Sequence, residues 1–181
     1  MYFCCVMPKD TKILLSQQHY VDLLNKEFFK RKLEIEQLVF EVFGNISVAI
    51  KPLISEIVGH PIESKISKGE RFLDSPYYVL DIPKIQTIEN LLLCRIVVSW
   101  GRGIMIYIIG IGSYKNQVKK LEKIMLSCYN SLWEMDYEKQ EKCIDDDYWK
   151  VVGLEPFVLL NEPELLIQKI KNYLSVISQS E

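Results

Sequence analysis

Lys68, Glu70, Arg71, Tyr77, Asp81, Arg95, Trp100 and Arg102 are the residues of this chain whose types and spacing could do chemistry together. A charged run with one glycine, Lys65-Ile66-Ser67-Lys68-Gly69-Glu70-Arg71, leads into the aromatic stretch from Pro76 to Pro83. Asp81 interrupts the apolar residues of that stretch, and Arg95 interrupts the apolar run that follows. If the eight line one polar-aromatic depression, Glu70 or Asp81 can move a proton while Lys68 or Arg95 clamps an anion. That chemistry requires burial or a neighbouring charge to tune the carboxylate. The structural alternative is simpler. Asp81 and Arg95 on paired strands satisfy each other, because a buried charge needs a partner.

Other patterns carry less chemistry. His19 and His60 are the only histidines and have neither metal nor triad spacing, so His19 reads as a helix-face residue and His60 as a turn residue. Gly110-x-Gly112 is a fragment of a dinucleotide motif without its third glycine. Asp145-Asp146-Asp147 lacks the alternate spacing and the glycine of a calcium loop, so it reads as a solvated acidic turn. Cys4, Cys5, Cys94, Cys128 and Cys143 form an odd set with no CxxC pair, which points to reduced thiols rather than zinc or disulfides. No metal and no cofactor is expected.

At 181 residues, 49% hydrophobic and 25% charged, the chain suits one folded domain over 1–181. Its net charge of −2 lacks the basic excess that phosphate contacts demand, so no nucleic acid is expected. The local run Lys26 to Lys32 is flanked by Glu27, Glu34 and Glu36 and fits a solvated helix face. The first ten residues have no basic start and no cleavage pattern, so no secretion signal is expected. Leu91 to Gly112 approaches membrane-spanning length, but it holds Arg95 and Arg102, and Gly101-Arg102-Gly103 is a turn signal. A soluble hairpin in a cytoplasmic protein, with no membrane contact, is the expectation.

Apolar periodicity predicts a helix from Ser16 to Phe43 ended by Gly44-Asn45, then a shorter helix from about Lys51 to Val58. Ile62 to Leu73 reads as a loop. Tyr77–Ile82, between Pro76 and Pro83, reads as an edge strand. Leu91–Trp100 and Ile104–Ile111 form a hairpin, Asn116–Met135 a helix, Asp136–Asp147 an acidic connection, Tyr148–Leu160 one or two short strands, and Pro163–Ile177 a last helix. The class is α+β: an antiparallel meander of three to four strands packed by about four helices, two N-terminal and two C-terminal. The hairpin strands barely alternate, so both faces must be covered, by helices or by a second copy in a homodimer through the sheet.

Lys68-Gly69-Glu70, Pro76-Tyr77, Leu80-Asp81 with Pro83, and Trp100-Gly101 carry a resemblance over about a quarter of the chain. This KGE…PYxxLDxP segment, followed by a strand ending in Trp-Gly, resembles a family of uncharacterised bacterial proteins. Ile82 and Lys84 depart from the aromatic and arginine expected at those places. The resemblance implies that the loop and hairpin form one unit, and it implies no activity. The expected function is a small intracellular binding or accessory protein using residues 65–83 and the hairpin tip at 100–103. The alternatives are a small enzyme with carboxylate acid–base chemistry and a Lys/Arg anion clamp, or an immunity- or antitoxin-like partner protein.

Overall fold

Two side-chain caps shape the N-terminal helical segment. Ser16 Oγ accepts from the His19 amide at 3.2 Å while His19 Nδ1 accepts from the Ser16 amide at 3.1 Å, opening α1 (Gln17–Leu23). Asn25 Oδ1 then accepts from the Phe28 amide at 2.9 Å and opens α2 (Lys26–Val58). A computed structural model describes residues 16–72, 75–87, 89–127, 135 and 148–178, in two compact units, 1–37 and 38–181. In the first unit α1 buries no residue.

The expected boundaries shift here. The helix breaks at Leu24-Asn25 rather than at Gly44-Asn45, and α2 runs straight through Pro52. A glycine costs a helix about 1 kcal/mol and an interior proline about 3 kcal/mol. In the second unit Val39, Val42, Phe43, Ile46, Ile50 and Ile54 form a fully buried stripe on either side of these residues. Each such side chain contributes about 1.5–3 kcal/mol by burial, so packing outweighs local propensity. By length and composition α2 could cross a membrane, but this stripe is spent on the protein's own core.

The second unit holds an open sheet of six strands: β1 (Lys65–Phe72), β2 (Ser75–Ile82), β3 (Leu91–Ser99), β4 (Gly103–Ile111), β5 (Leu126–Ser127) and β6 (Tyr148–Glu155). Their order is β1-β2-β3-β4-β6-β5, antiparallel throughout. Among the described residues α1, α2, α3 (Lys115–Lys119) and α4 (Pro163–Ser178) accompany the sheet, so the class is α+β as expected, but with more strands than the three to four expected.

β1 occupies the stretch expected to be a loop. Its charged residues show no apolar alternation because it lies at the edge. The aromatic strand β2 is consequently not an edge but lies between β1 and β3. Its prolines do not forbid this: Pro76 is near its start, where its carbonyl accepts from the Trp100 amide at 3.1 Å, and Pro83 falls just past its end. The hairpin at Trp100 is present, with nine register pairs from Leu91↔Ile111 to Ser99↔Gly103.

Beyond β4 the expected helix over Asn116–Met135 is much shorter. A 3-10 turn (Gly112–Tyr114) leads into α3, a second 3-10 turn (Lys120–Lys123) follows, and β5 begins at Leu126. Val118, Leu121 and Met125 are buried as the helical stripe required, but three-residue spacing suits a 3-10 turn as well. The expected stripe residues Tyr129 and Leu132, and the connection 136–147, lie outside the described residues.

Alternation along the strands divides the sheet into two buried faces. Leu92, Cys94, Ile96, Val98, Ile104, Ile106, Ile108 and Val151 join α2, Val118 of α3 and Leu166, Ile170, Leu174 and Ile177 of α4 in one core. Leu93, Val97, Met105, Tyr107, Ile109 and Val152 form a second core with Ile85 and Met135 packed against it. The strand residues of both faces are thus buried within one chain.

Candidate functional site

Asp81 and Arg95 are direct register partners on β2 and β3, on the second face. Arg95 Nε donates to Asp81 Oδ1 at 2.7 Å and Nη2 to Oδ2 at 3.0 Å. Their side chains are 16% and 10% exposed. The fork of the guanidinium matches the two carboxylate oxygens, which makes this a strong, geometrically fixed bond.

Tyr77 lies on the same face of β2, four residues from Asp81 and so about 13 Å along the strand. It pairs with Gly69 of β1, and a β-carbon added to Gly69 would fall within the Tyr77 ring. The glycine is there to admit the ring. Lys68 instead pairs with Tyr78, on the opposite face, and is exposed. Glu70 is exposed beyond the last regular β1–β2 pair, where the register shifts. Arg71 belongs to β1, and its side chain lies outside the described residues.

Trp100 follows β3 on the helix-covered side, half-buried against that core, its Nε1 buried without a hydrogen-bond partner among the described residues. Arg102 is exposed in the turn, between Gly101 at φ 77° and Gly103 at φ 121°. The eight residues are thus distributed over two faces and a turn. Of them the structure brings Asp81 and Arg95 together, and sets Tyr77 further along the same face.

Two residues not singled out in the sequence extend the polar row beneath the second core. Tyr107 of β4 pairs with Arg95 and donates its hydroxyl to the Met135 carbonyl. Lys150 of β6, 2% exposed, holds its ammonium 5.7 Å from the centre of the Tyr107 ring. Asp81, Arg95, Tyr107 and Lys150 therefore cross four neighbouring strands on one face. The available signal was Lys150's place on the same strand face as Tyr148 and Val152, where alternation assigns it to the interior.

Cys94, on the other face of β3, is fully buried, and burial followed by the Asp81 charge pushes its thiol up to about 12. A thiol held protonated is a poor nucleophile. At the end of β6 Glu155 is bonded by Lys169 Nζ at 2.5 Å and lies 3.4 Å from the Tyr173 hydroxyl. Burial first, then the Glu155 charge and hydrogen bond, raises the Tyr173 phenol. This trio fastens α4 to β6.

Gly110-x-Gly112 has a steric role as well. A β-carbon at Gly110 would collide with the Tyr114 carbonyl, and Gly112, at φ 58°, is crowded by Asn90. Together they let the chain turn back over the end of β4. His60 follows α2 in a turn, Nδ1 3.1 Å from the Pro61 carbonyl oxygen. It borders an open groove of about 510 Å³ with Glu63, Lys84, Asn90 and Tyr114, where Lys84 Nζ is 3.9 Å from Glu63. A second open groove, of about 610 Å³, runs between α2 and α4 and is lined by Glu56, Gln117, Gln168, Lys171, Asn172 and Ser175 among others. Among the described residues no group of three or more His, Cys, Asp or Glu side chains could hold a metal ion.

No family model, curated protein or solved structure matches the chain.

Proposed function

We propose that the chain is a small binding or accessory protein that meets another protein through an arm formed by α1 and the first three turns of α2. Tyr20, Val21, Leu23, Leu24, Phe28, Phe29, Leu33 and Ile35 support this: all eight are between 39% and 78% exposed. Scattered apolar side chains on a surface are ordinary, but eight large ones within sixteen residues mark an interaction surface. Residues 65–83 act in this scheme as a stiff sheet edge, with Asp81 held by Arg95 and Tyr77 seated on Gly69. The protein works in the cytoplasm, where the buried thiol of Cys94 stays reduced.

A photocrosslinking residue placed at Leu33 of the full chain, in living cells, tests the arm. The expected result is a discrete protein adduct that disappears when Phe28 and Phe29 are changed to serine. The same probe at Arg102 should give none. An adduct at Arg102 without one at position 33 would move the contact to the hairpin tip and overturn the assignment.

A further inference from the structure

We infer that the partner of the α1–α2 arm is a protein whose apolar groove carries carboxylates, placed to meet Arg31 and Lys32. The inference rests on the arm being a protein-binding surface and adds the chemistry of what it binds.

The start of α2 has the pattern of a helix that lies in a groove. Phe28 and Ile35, 44% and 39% exposed, stand seven residues apart and so lie two turns apart on one helix face. Anchors at that spacing are what an apolar groove takes from an amphipathic helix. The Phe28 ring meets the Phe29 ring edge to face, with centres 5.5 Å apart, which braces the anchor before any partner arrives.

Arg31 and Lys32 follow Phe28 by three and four residues, so they sit between the two anchors on the same face. A surface that covers Phe28 and Ile35 therefore covers both cations as well. Neither has an ion-pair partner among the described residues. Glu34 and Glu36 do not serve them: Lys30 Nζ lies 4.0 Å from the Glu34 carboxylate, and Glu36 already has an interaction within the chain. Taking a lone cation out of water is costly, so the covering surface must bring its own anions.

Anionic lipid headgroups would also supply negative charge. They act on the whole arm, however, and there the cations are balanced by Asp22, Glu27, Glu34 and Glu36, with Glu27 and Glu34 exposed. A membrane would repel these as it attracted Arg31 and Lys32. A folded groove sets its carboxylates at chosen places and meets the two cations alone.

Crosslinking at Leu33 of the full chain in living cells, followed by mass spectrometry of the adduct, tests this. The crosslinked segment of the partner is expected to carry Asp or Glu. Arg31→Glu and Lys32→Glu should each lower the adduct yield by about tenfold or more. Lys26→Glu, two residues before Phe28 and so on the far side of the helix, should leave it unchanged. Changing the partner's carboxylates to lysine should restore the adduct of the variant that carries both Arg31→Glu and Lys32→Glu. Circular dichroism of each variant should match the wild type, since none of these residues is in the core. Mixed with phosphatidylglycerol vesicles, the chain should stay in the supernatant on sedimentation. An adduct that survives both reversals, or a partner segment without carboxylates, overturns the inference and leaves the arm as a binding surface. Binding to the vesicles without a protein adduct, or no adduct of any kind, overturns both.

Discussion

The ring of Tyr77 fills the place that a β-carbon at Gly69 would take, and the two residues face each other across β1 and β2. Glycine at that position is therefore set by an aromatic neighbour rather than by a turn. The atoms in the way are the far end of a half-exposed side chain rather than backbone, so the Tyr77 ring can shift to admit a methyl group. Gly69→Ala should cost about 1 kcal/mol. Gly110→Ala confronts the Tyr114 backbone and the Val118 side chain, which have nowhere to go, and should cost about 2–3 kcal/mol. Urea midpoints of the two variants check the order, and equal losses would refute it.

Arg95→Leu leaves the Asp81 carboxylate buried without its fork, an expected loss of about 3–5 kcal/mol. Changing both residues to leucine removes the charges together and should recover most of that loss. Chemical denaturation of the single and double variants measures the difference. A double variant no more stable than Arg95→Leu would show that the pair does more than neutralise itself.

Tyr107→Phe removes the hydroxyl that bonds the Met135 carbonyl while keeping the ring between Arg95 and Lys150. The expected loss is about 1 kcal/mol, the ordinary net worth of one such bond. Backbone amide exchange in β4 should stay slow, because the strand pairs on both sides remain. Thermal unfolding and hydrogen exchange read the two effects separately.

The buried Cys94 thiol makes stability fall at alkaline pH. Its thiol ionises near 9.0 in an unfolded chain and only at about 12 in the fold. Below pH 9 both states keep the proton, and the contribution is fully present. Between the two values the unfolded state has lost its proton and the folded state has not, so stability falls by about 1.4 kcal/mol per pH unit. Cys94→Ala should flatten this slope from pH 9 upward. The raised Tyr173 phenol acts in the same direction above its usual 10.0, so some alkaline loss remains in the variant. Urea midpoints taken between pH 7 and 10.5 would show the change; an unaltered slope counts against it.

Leu91–Trp100 and Ile104–Ile111 were legible as a hairpin because an unbroken apolar run with a Gly-Arg-Gly turn has few other ways to fold. Asp81 and Arg95 were legible as partners for a related reason: each is a lone charge among apolar residues, and strand pairing leaves each one neighbour of opposite sign. β1 was not legible, since an edge strand facing water needs no hydrophobic pattern. The continuity of α2 through Gly44 and Pro52 was hidden because it depends on core contacts that local propensity does not contain. Tyr107 and Lys150 escaped notice because their partnership arises from the register of β3, β4 and β6, and register is invisible until the strands are aligned.

The nine pairs joining β3 to β4 close over the short Trp100–Arg102 turn, whereas β6 must return across residues 112–147 to reach β4. Closing a short loop loses less chain entropy than closing a long one. The central hairpin thus closes at a lower entropic cost than the β4–β6 pairing, and it emerges during synthesis before the strand that flanks it has been made. Until Tyr148–Glu155 arrives, the β4 edge stands open, a window in which a nascent chain is most exposed to wrong pairing.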